Sequence, residues 1–180
     1  MPSPAAFNTA PTPAALRRAL LGGALVLLAG CAAPPSQHTA RRLGAKSERN
    51  PGDNHAARHD IALFALSLLD MPYASGGRGP ATGFDCSGLV SHVYLHAAQI
   101  RLNGNAAAMA RALRTIDPQA LQAGDLVFFN TLGPAFSHVG IFVGDGLFVH
   151  ASNPRTGVRR DRLSHRYYAS RFEAAKTWFG

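Results

Sequence analysis

The chain has 180 residues, 47% of them hydrophobic and 16% charged, which suffices for the core of one ordinary domain and leaves no room for two. Eighteen Lys and Arg against ten Asp and Glu give a formal charge of +8, which suits anionic surroundings such as phospholipid or a carboxylate-rich polymer. With only Cys31 and Cys86 present, at most one disulfide could form.

Arg17 and Arg18 precede an apolar run from Ala19 to Ala29 that is too short to span a bilayer, the pattern of an export signal. The run ends Leu28-Ala29-Gly30-Cys31, which resembles the lipobox at which bacterial lipoproteins are cut and acylated on the cysteine. The plainer alternative is an apolar N-terminus that happens to end in cysteine. On the resemblance, residues 1–30 are a signal peptide and Cys31 is the first mature residue. Loss of Arg17 and Arg18 would leave a charge of +6, since residues 1–30 contain no acid. Two or more acyl chains, at about 0.8 kcal/mol per buried methylene, would hold the protein on a membrane without spanning it. Ala32 is not the aspartate that commonly retains lipoproteins on the inner membrane, so the resemblance implies a cell-envelope protein on the outer membrane, facing the periplasm. Residues 31–54 are rich in Pro, Ala, Ser and Arg without an apolar period, and read as a solvated linker. Nucleic acid is not an expected partner for such an exported chain, despite the basic cluster Arg155, Arg159, Arg160, Arg162, Arg166 and Arg171.

The folded domain is expected over residues 55–180. From His55 to Asp70, Ile61, Phe64, Ala65, Leu68 and Leu69 follow helical spacing, with Asp53 or Asn54 available as cap. Met71-Pro72 ends that helix, and Gly76, Gly77, Gly79, Pro80 and Gly83 mark a loop. A second helix is predicted from Asp85 or Cys86 to about Ala98. It places Leu89, Val90, Val93 and Ala97 within about 60° of Cys86, so the face carrying the thiol is the buried one. A third, Ala-rich helix is expected over Asn105–Arg114, stopped by Asp117-Pro118. Strands follow at Leu126–Phe129, Val139–Val143 and Leu147–Ala151, with weaker signals at Gly157–Arg159 and Ala174–Phe179. Helices followed by sequential strands argue for an α+β domain with an antiparallel sheet.

Cys86 at a helix N-terminus is a candidate nucleophile, because unpaired N–H groups there favour the thiolate. An inert buried cysteine and a Cys31–Cys86 disulfide are the alternatives. A thiolate also needs a base, usually a histidine held by a third polar group. If Gly144-Asp145-Gly146 is a three-residue loop, Gly140 pairs with His150 and His138 becomes the diagonal, same-face neighbour of His150. A two-residue Asp145-Gly146 turn would put them on opposite faces. The reactive form of such a Cys–His pair is expected to be thiolate and imidazolium, with the thiol pKa lowered and the histidine pKa raised. His55 and His59, like His92 and His96, have the i, i+4 spacing of a helical metal pair, but no further Cys or His-Glu cluster completes either, and no metal site is expected.

The segments Pro72-Tyr73-Ala74-Ser75-Gly76-Gly77, Gly83-Phe84-Asp85-Cys86-Ser87-Gly88-Leu89-Val90, Ala123–Phe129, Ser137-His138-Val139-Gly140-Ile141 and Val149-His150-Ala151 together resemble the NlpC-type cell-wall endopeptidases, from about Ala56 to Phe179. The resemblance implies a papain-like α+β fold, N-terminal helices packed on an antiparallel sheet, that works without metal or cofactor on peptidoglycan stem peptides. It implies that Cys86 attacks the carbonyl, His138 shuttles the proton and His150 orients His138. It further implies that Tyr73 lies beside the thiol near an oxyanion hole of backbone N–H groups, and that Asp85 and Ser87 help bind the peptide. A monomer is expected. Where relatives often carry a Pro-Arg-Thr run and a later glutamine, this chain has Arg101-Leu102-Asn103-Gly104-Asn105 and then Ala106-Ala107-Ala108-Met109, so the cleaved bond stays open. A related thiol amidase or acyltransferase, and a catalytically silent wall-binding lipoprotein, are the competing readings.

Overall fold

The computed structural model describes residues 51–180; the predicted signal peptide, Cys31 and the linker up to residue 50 lie outside the described residues. Helix α1, Pro51–Ser67, starts four residues before the expected His55, so neither Asp53 nor Asn54 is its cap. Proline suits the first turn, where its missing N–H has no partner to lose. Helix α2, Cys86–Ala98, is capped by Asp85, whose side chain accepts from the Gly88 N–H. Its C-terminus is closed by Gln99 in the left-handed region, φ 56°, with the Gln99 N–H donating to the Leu95 carbonyl and the Ile100 N–H to that of Tyr94. Helix α3, Ala106–Ala112, is capped by Asn105 and stops short of the expected Arg114. Thr115 and Ile116, β-branched and better suited to a strand, join Arg114 in strand β3, Arg114–Ile116.

The expected loop between α1 and α2 carries a small hairpin of β1, Arg78–Gly79, and β2, Gly83–Phe84. Two glycines let it lie on the first turn of α2. A Cβ at Gly88 would stand 2.0 Å from the Gly77 carbonyl oxygen, and one at Gly77 would stand 2.4 Å from that of Gly83.

The main sheet contains β3, then β4, Leu126–Phe129; β5, His138–Gly144; β6, Leu147–Asn153; β7, Gly157–Arg162; and β8, Phe172–Thr177. Its spatial order is β3-β8-β4-β5-β6-β7, with every neighbouring pair antiparallel. A short helix α4, Arg166–Ala169, which the sequence signals did not reveal, precedes β8.

Strand alternation divides the sheet into two faces. Leu126, Phe128, Val139, Ile141, Val149 and Ala151 join Ile61, Ala65, Leu89, Val90 and Val93 of the helices in the larger core. Val127, Phe129, Phe142 and Phe148 form a second cluster with Tyr168 of α4 on the opposite face. His138 and His150 belong to that second face, in register with Phe129 and Phe148. The thiol-bearing helix covers the first face, so base and nucleophile approach the start of β5 from different sides.

The β5–β6 connection differs from expectation in an instructive way. The turn is the two-residue Asp145-Gly146, with φ of 52° and 70°, the paired positive values that tight hairpins favour. Ile141 pairs with Val149 and Phe142 with Phe148, but Gly144 pairs with Leu147, so one extra residue is accommodated between Phe142 and Gly144. That irregularity offsets the shorter turn and restores the register in which Gly140 would oppose His150. The two histidines therefore share a face through a bulge and a two-residue turn.

Candidate active site

Asp85 builds the floor of the site. Its Oδ1 accepts from the Gly88 N–H at 2.6 Å and from Ser87 Oγ at 3.0 Å, and its Oδ2 accepts from the Gly76 N–H at 3.0 Å. One carboxylate thus caps α2, orients Ser87 and ties the glycine loop to the helix start. Both side chains have structural work in addition to any contact with a substrate. Cys86, the first helical residue, is a half-buried free thiol. It lines a cleft of about 330 Å³ together with Tyr73, Asp85, Ser87, Asn105 and Phe136. The backbone N–H groups of Val139, Ser87 and Cys86 itself face the sulfur. Two of them are the donors that the first turn of a helix leaves unpaired. Tyr73 bridges to Phe84 and lines the same cleft.

On the other side of β5, a chain of hydrogen bonds starts at His138, whose neighbour Ser137 lines the cleft. His138 Nε2 lies 2.7 Å from His150 Nδ1, and His150 Nε2 lies 2.8 Å from Asp161 Oδ2. Tyr168 donates its hydroxyl to Asp161 Oδ2 at 3.2 Å, and Arg159 donates to Oδ1 at 2.8 Å. His150 is fully buried, enclosed by the Phe148 and Tyr168 rings at centroid distances of 4.8 and 5.3 Å. Because His150 holds Nε2 of His138, Nδ1 is the nitrogen of that ring left for a thiol.

Asp161 and Tyr168 were not among the residues the sequence singled out. The signal was present but faint: Asp161 is the one acid in the arginine-rich run from Arg155 to Arg162. In β7, Asp161 opposes Phe148 and Arg159 opposes His150, which makes Asp161 the diagonal neighbour of His150. The weak strand signal at Gly157–Arg159 ended two residues too early to show this. The basic cluster is correspondingly less free than its sequence suggests, since Arg159 pairs with Asp161 and Arg171 lies 4.0 Å over the Tyr167 ring. Of the candidate metal pairs, His92 and His96 lie with ring centroids 4.3 Å apart and planes tilted by 44°, with Phe64 beside both rings.

The sequence model of the NlpC/P60 family matches residues 70–177, a span that holds the cleft and the whole hydrogen-bonded chain behind it. The chain belongs to the NlpC/P60 family. It is 41% identical over 116 residues to murein DD-endopeptidase MepH of Escherichia coli, a match that covers 62% of this chain and 42% of that protein. It is 38% identical over 130 residues to gamma-DL-glutamyl hydrolase of Bacillus subtilis, covering 72% of this chain and 31% of the other. The chain therefore spans less than half the length of either relative. A Staphylococcus aureus crystal structure, described as similar to a lipoprotein of the NLP/P60 family, superposes with a TM-score of 0.61 at 35% identity, over 69% of this chain and 42% of that one. The papain-like α+β fold expected from the sequence is the fold of this NlpC/P60 domain.

The electrostatics of the free site differ from the expected ion pair. Burial pushes the Cys86 thiol above its usual range and Asp85 pushes it further, against the opposing pull of the three N–H groups. Burial, reinforced by His150, takes His138 down to about 3. Burial also lowers His150, although Asp161 pulls it back up. Burial raises the phenol of Tyr73, with Cys86 and Asp85 adding to the effect. The free pair accordingly rests as neutral thiol and neutral imidazole, because both charged forms lose hydration in a half-closed site. Since only thiolate reacts with iodoacetamide, labelling of Cys86 in the free protein is expected to be slow at neutral pH and to climb only above the ordinary thiol range. A labelling rate that already climbs in the acid range would reveal a pre-formed thiolate–imidazolium pair and contradict this assignment.

Proposed function

We propose that this NlpC/P60 protein is a thiol endopeptidase that hydrolyses amide bonds in the stem peptides or cross-links of peptidoglycan. The observation that carries the reading is a free, partly exposed thiol at a helix N-terminus whose sulfur faces the Val139 N–H, the residue next to His138 of the buried His138–His150 pair. The names of its relatives, a murein DD-endopeptidase and a gamma-DL-glutamyl hydrolase, support the substrate class.

In this mechanism Cys86 Sγ attacks the carbonyl carbon as the thiol proton passes to His138 Nδ1. His150 accepts from His138 Nε2 and keeps the ring aimed at the cleft. The oxyanion of the tetrahedral intermediate is stabilised by backbone N–H groups at the start of α2, with Tyr73 beside them. His138 then gives its proton to the departing amine, leaving a thioester on Cys86. Water attacks that thioester, giving up a proton to His138, and the carboxylic acid product leaves as that proton returns to sulfur, then ionises in solvent. Asp85 and Ser87 edge the cleft, where they would meet the peptide.

Purified peptidoglycan incubated with the full-length chain, with products identified by mass spectrometry, tests the reading. New amine and carboxyl ends within stem peptides or at cross-links, with glycan strands intact, are the expected result; they also identify the bond cut. An unaltered polymer would overturn it.

The proposal extends to placement. Residues 1–30 serve as signal peptide, acylated Cys31 anchors the chain in the envelope membrane, and residues 31–54 give the catalytic domain its reach. Cys31→Ser is expected to move the protein from the membrane fraction to the soluble fraction while hydrolysis by the detergent-free enzyme is retained. A mutant that remains in the membrane fraction would refute the lipid anchor.

A further inference from the structure

The buried polar chain does not end at His150, and its far end decides where protons sit at its near end. An ionised carboxylate can only accept hydrogen bonds. Asp161 is held in that form: burial works against its charge, but the bonds from His150 and Arg159 outweigh burial and keep it below its usual range. Since Asp161 Oδ2 lies 2.8 Å from His150 Nε2, that nitrogen must carry the hydrogen. In a neutral ring the other nitrogen, Nδ1, is then the acceptor. It lies 2.7 Å from His138 Nε2, which must therefore donate. The remaining nitrogen of neutral His138, Nδ1, is left with a lone pair, the form able to take a proton from a thiol.

We propose that Asp161, held by Arg159 and Tyr168, is the positioning residue that fixes the tautomers of both histidines and so makes His138 a base toward Cys86. The inference rests on the thiol mechanism proposed above and adds a fourth member to it. Tyr168 supports the arrangement by donating to the same Oδ2 that receives the His150 hydrogen. Arg159 occupies the other oxygen, Oδ1, which keeps the carboxylate from rotating away.

Arg159 also makes Asp161→Asn unusually informative. The guanidinium can only donate, so it favours the rotamer in which the asparagine oxygen faces Arg159 and the amide N–H₂ faces His150. His150 Nε2 must then accept, its hydrogen moves to Nδ1, and His138 Nε2 must accept in turn. The hydrogen of His138 ends on Nδ1, and no base remains for the thiol. A carboxylate-to-amide change that reverses a catalytic histidine's tautomer lowers turnover by up to about 10⁴-fold in a serine-protease precedent. A fall in kcat on the order of 10² to 10⁴-fold, with KM little changed, is expected here because Asp161 acts through the two histidines. The double variant Arg159→Gln with Asp161→Asn frees the amide to turn its oxygen to His150 and is expected to recover about 10-fold or more of that loss.

The direct readout is the ¹⁵N spectrum of the full-length chain labelled at histidine, recorded near neutral pH. The wild type is expected to show His138 and His150 both protonated at Nε2, and Asp161→Asn to show both protonated at Nδ1. A proton on Nδ1 of either ring in the wild type overturns the proposal, even if Asp161→Asn fails to fold. An Asp161→Asn protein that loses turnover with its tautomers unchanged also overturns it, since Asp161 would then act only on structure. A wild type with the expected tautomers but no hydrolysis of peptidoglycan would remove the proposed function and leave the proton wiring standing.

Discussion

Replacing Cys86 with alanine is expected to lower kcat for a soluble peptidoglycan fragment by at least ~10⁴-fold, with the fold retained. The size of the effect follows from chemistry rather than packing. In the proposed mechanism the sulfur is the atom that bonds to substrate, and no other thiol lies among the described residues. The structural cost is small because Cys86 is half-buried at the edge of the core, and truncation to alanine leaves the Asp85 cap untouched. Unfolding is expected to shift by no more than about 1 kcal/mol. His138→Ala is expected to approach the same loss of activity, since it removes the proton acceptor, and His150→Ala to be milder, since an orienting group contributes through the base it holds. Steady-state kinetics and thermal unfolding of the three variants, measured together, check the ranking. His150→Ala more damaging than His138→Ala would reverse the roles.

The largest expected loss of stability lies away from the cleft, at Arg58. Asp125 is 1% exposed, its Oδ1 is paired with Arg58 Nη1 at 2.6 Å, and its Oδ2 accepts the Gln122 N–H at 2.9 Å. Arg58 also donates to Thr177 Oγ1 at 3.0 Å and lies 4.3 Å over the Phe179 ring, so one guanidinium joins α1 to β4 and β8. Arg58→Ala leaves the buried Asp125 carboxylate without its cation. Removing one partner of a buried ion pair costs about 3–5 kcal/mol, because the remaining charge loses its counter-ion. For a domain of this size that corresponds to a fall in Tm of roughly 10–20 °C. Replacing both partners with apolar residues is expected to cost less than the single change, which distinguishes an unpaired charge from a lost contact. A single-variant loss under about 1 kcal/mol would show that water reaches Asp125.

The second helix was legible almost to the residue, and the reason is local. Asp85 is a strong cap, the apolar residues after it keep helical spacing, and the buried Leu89, Val90 and Val93 follow directly. The strands from Leu126 to Ala151 were legible for the same kind of reason, as short β-rich runs between glycines and aspartates. What local pattern could not reveal were features set by partners distant in sequence. Strand β3 exists because Arg114, Thr115 and Ile116 pair with β8 some sixty residues later. The start of α1 at Pro51 lay in residues that read as linker. The shared face of His138 and His150 was inferred through a three-residue loop, whereas the structure reaches the same register by a two-residue turn and a bulge.

The candidate site divides along similar lines. Cys86, His138 and His150 were singled out from helix position, hairpin register and family resemblance. Their charge state was not legible, because it depends on burial, which a sequence shows only indirectly; the expected ion pair gives way to neutral partners in the free site. Asp161 was missed because its role emerges only when β7 is extended past Arg159 and its register against β6 is known.

The central claim is that the Cys86 sulfur bonds to a carbonyl carbon of a peptidoglycan peptide. Acid-quenching the full-length enzyme during turnover of peptidoglycan fragments, followed by peptide mapping in the mass spectrometer, tests it most directly. The predicted result is an acyl adduct on Cys86, labile to hydroxylamine as a thioester is, and absent when Cys86 is alkylated beforehand. Undiminished product formation by the alkylated enzyme or by Cys86→Ala, with no adduct on the wild-type thiol, would contradict the account.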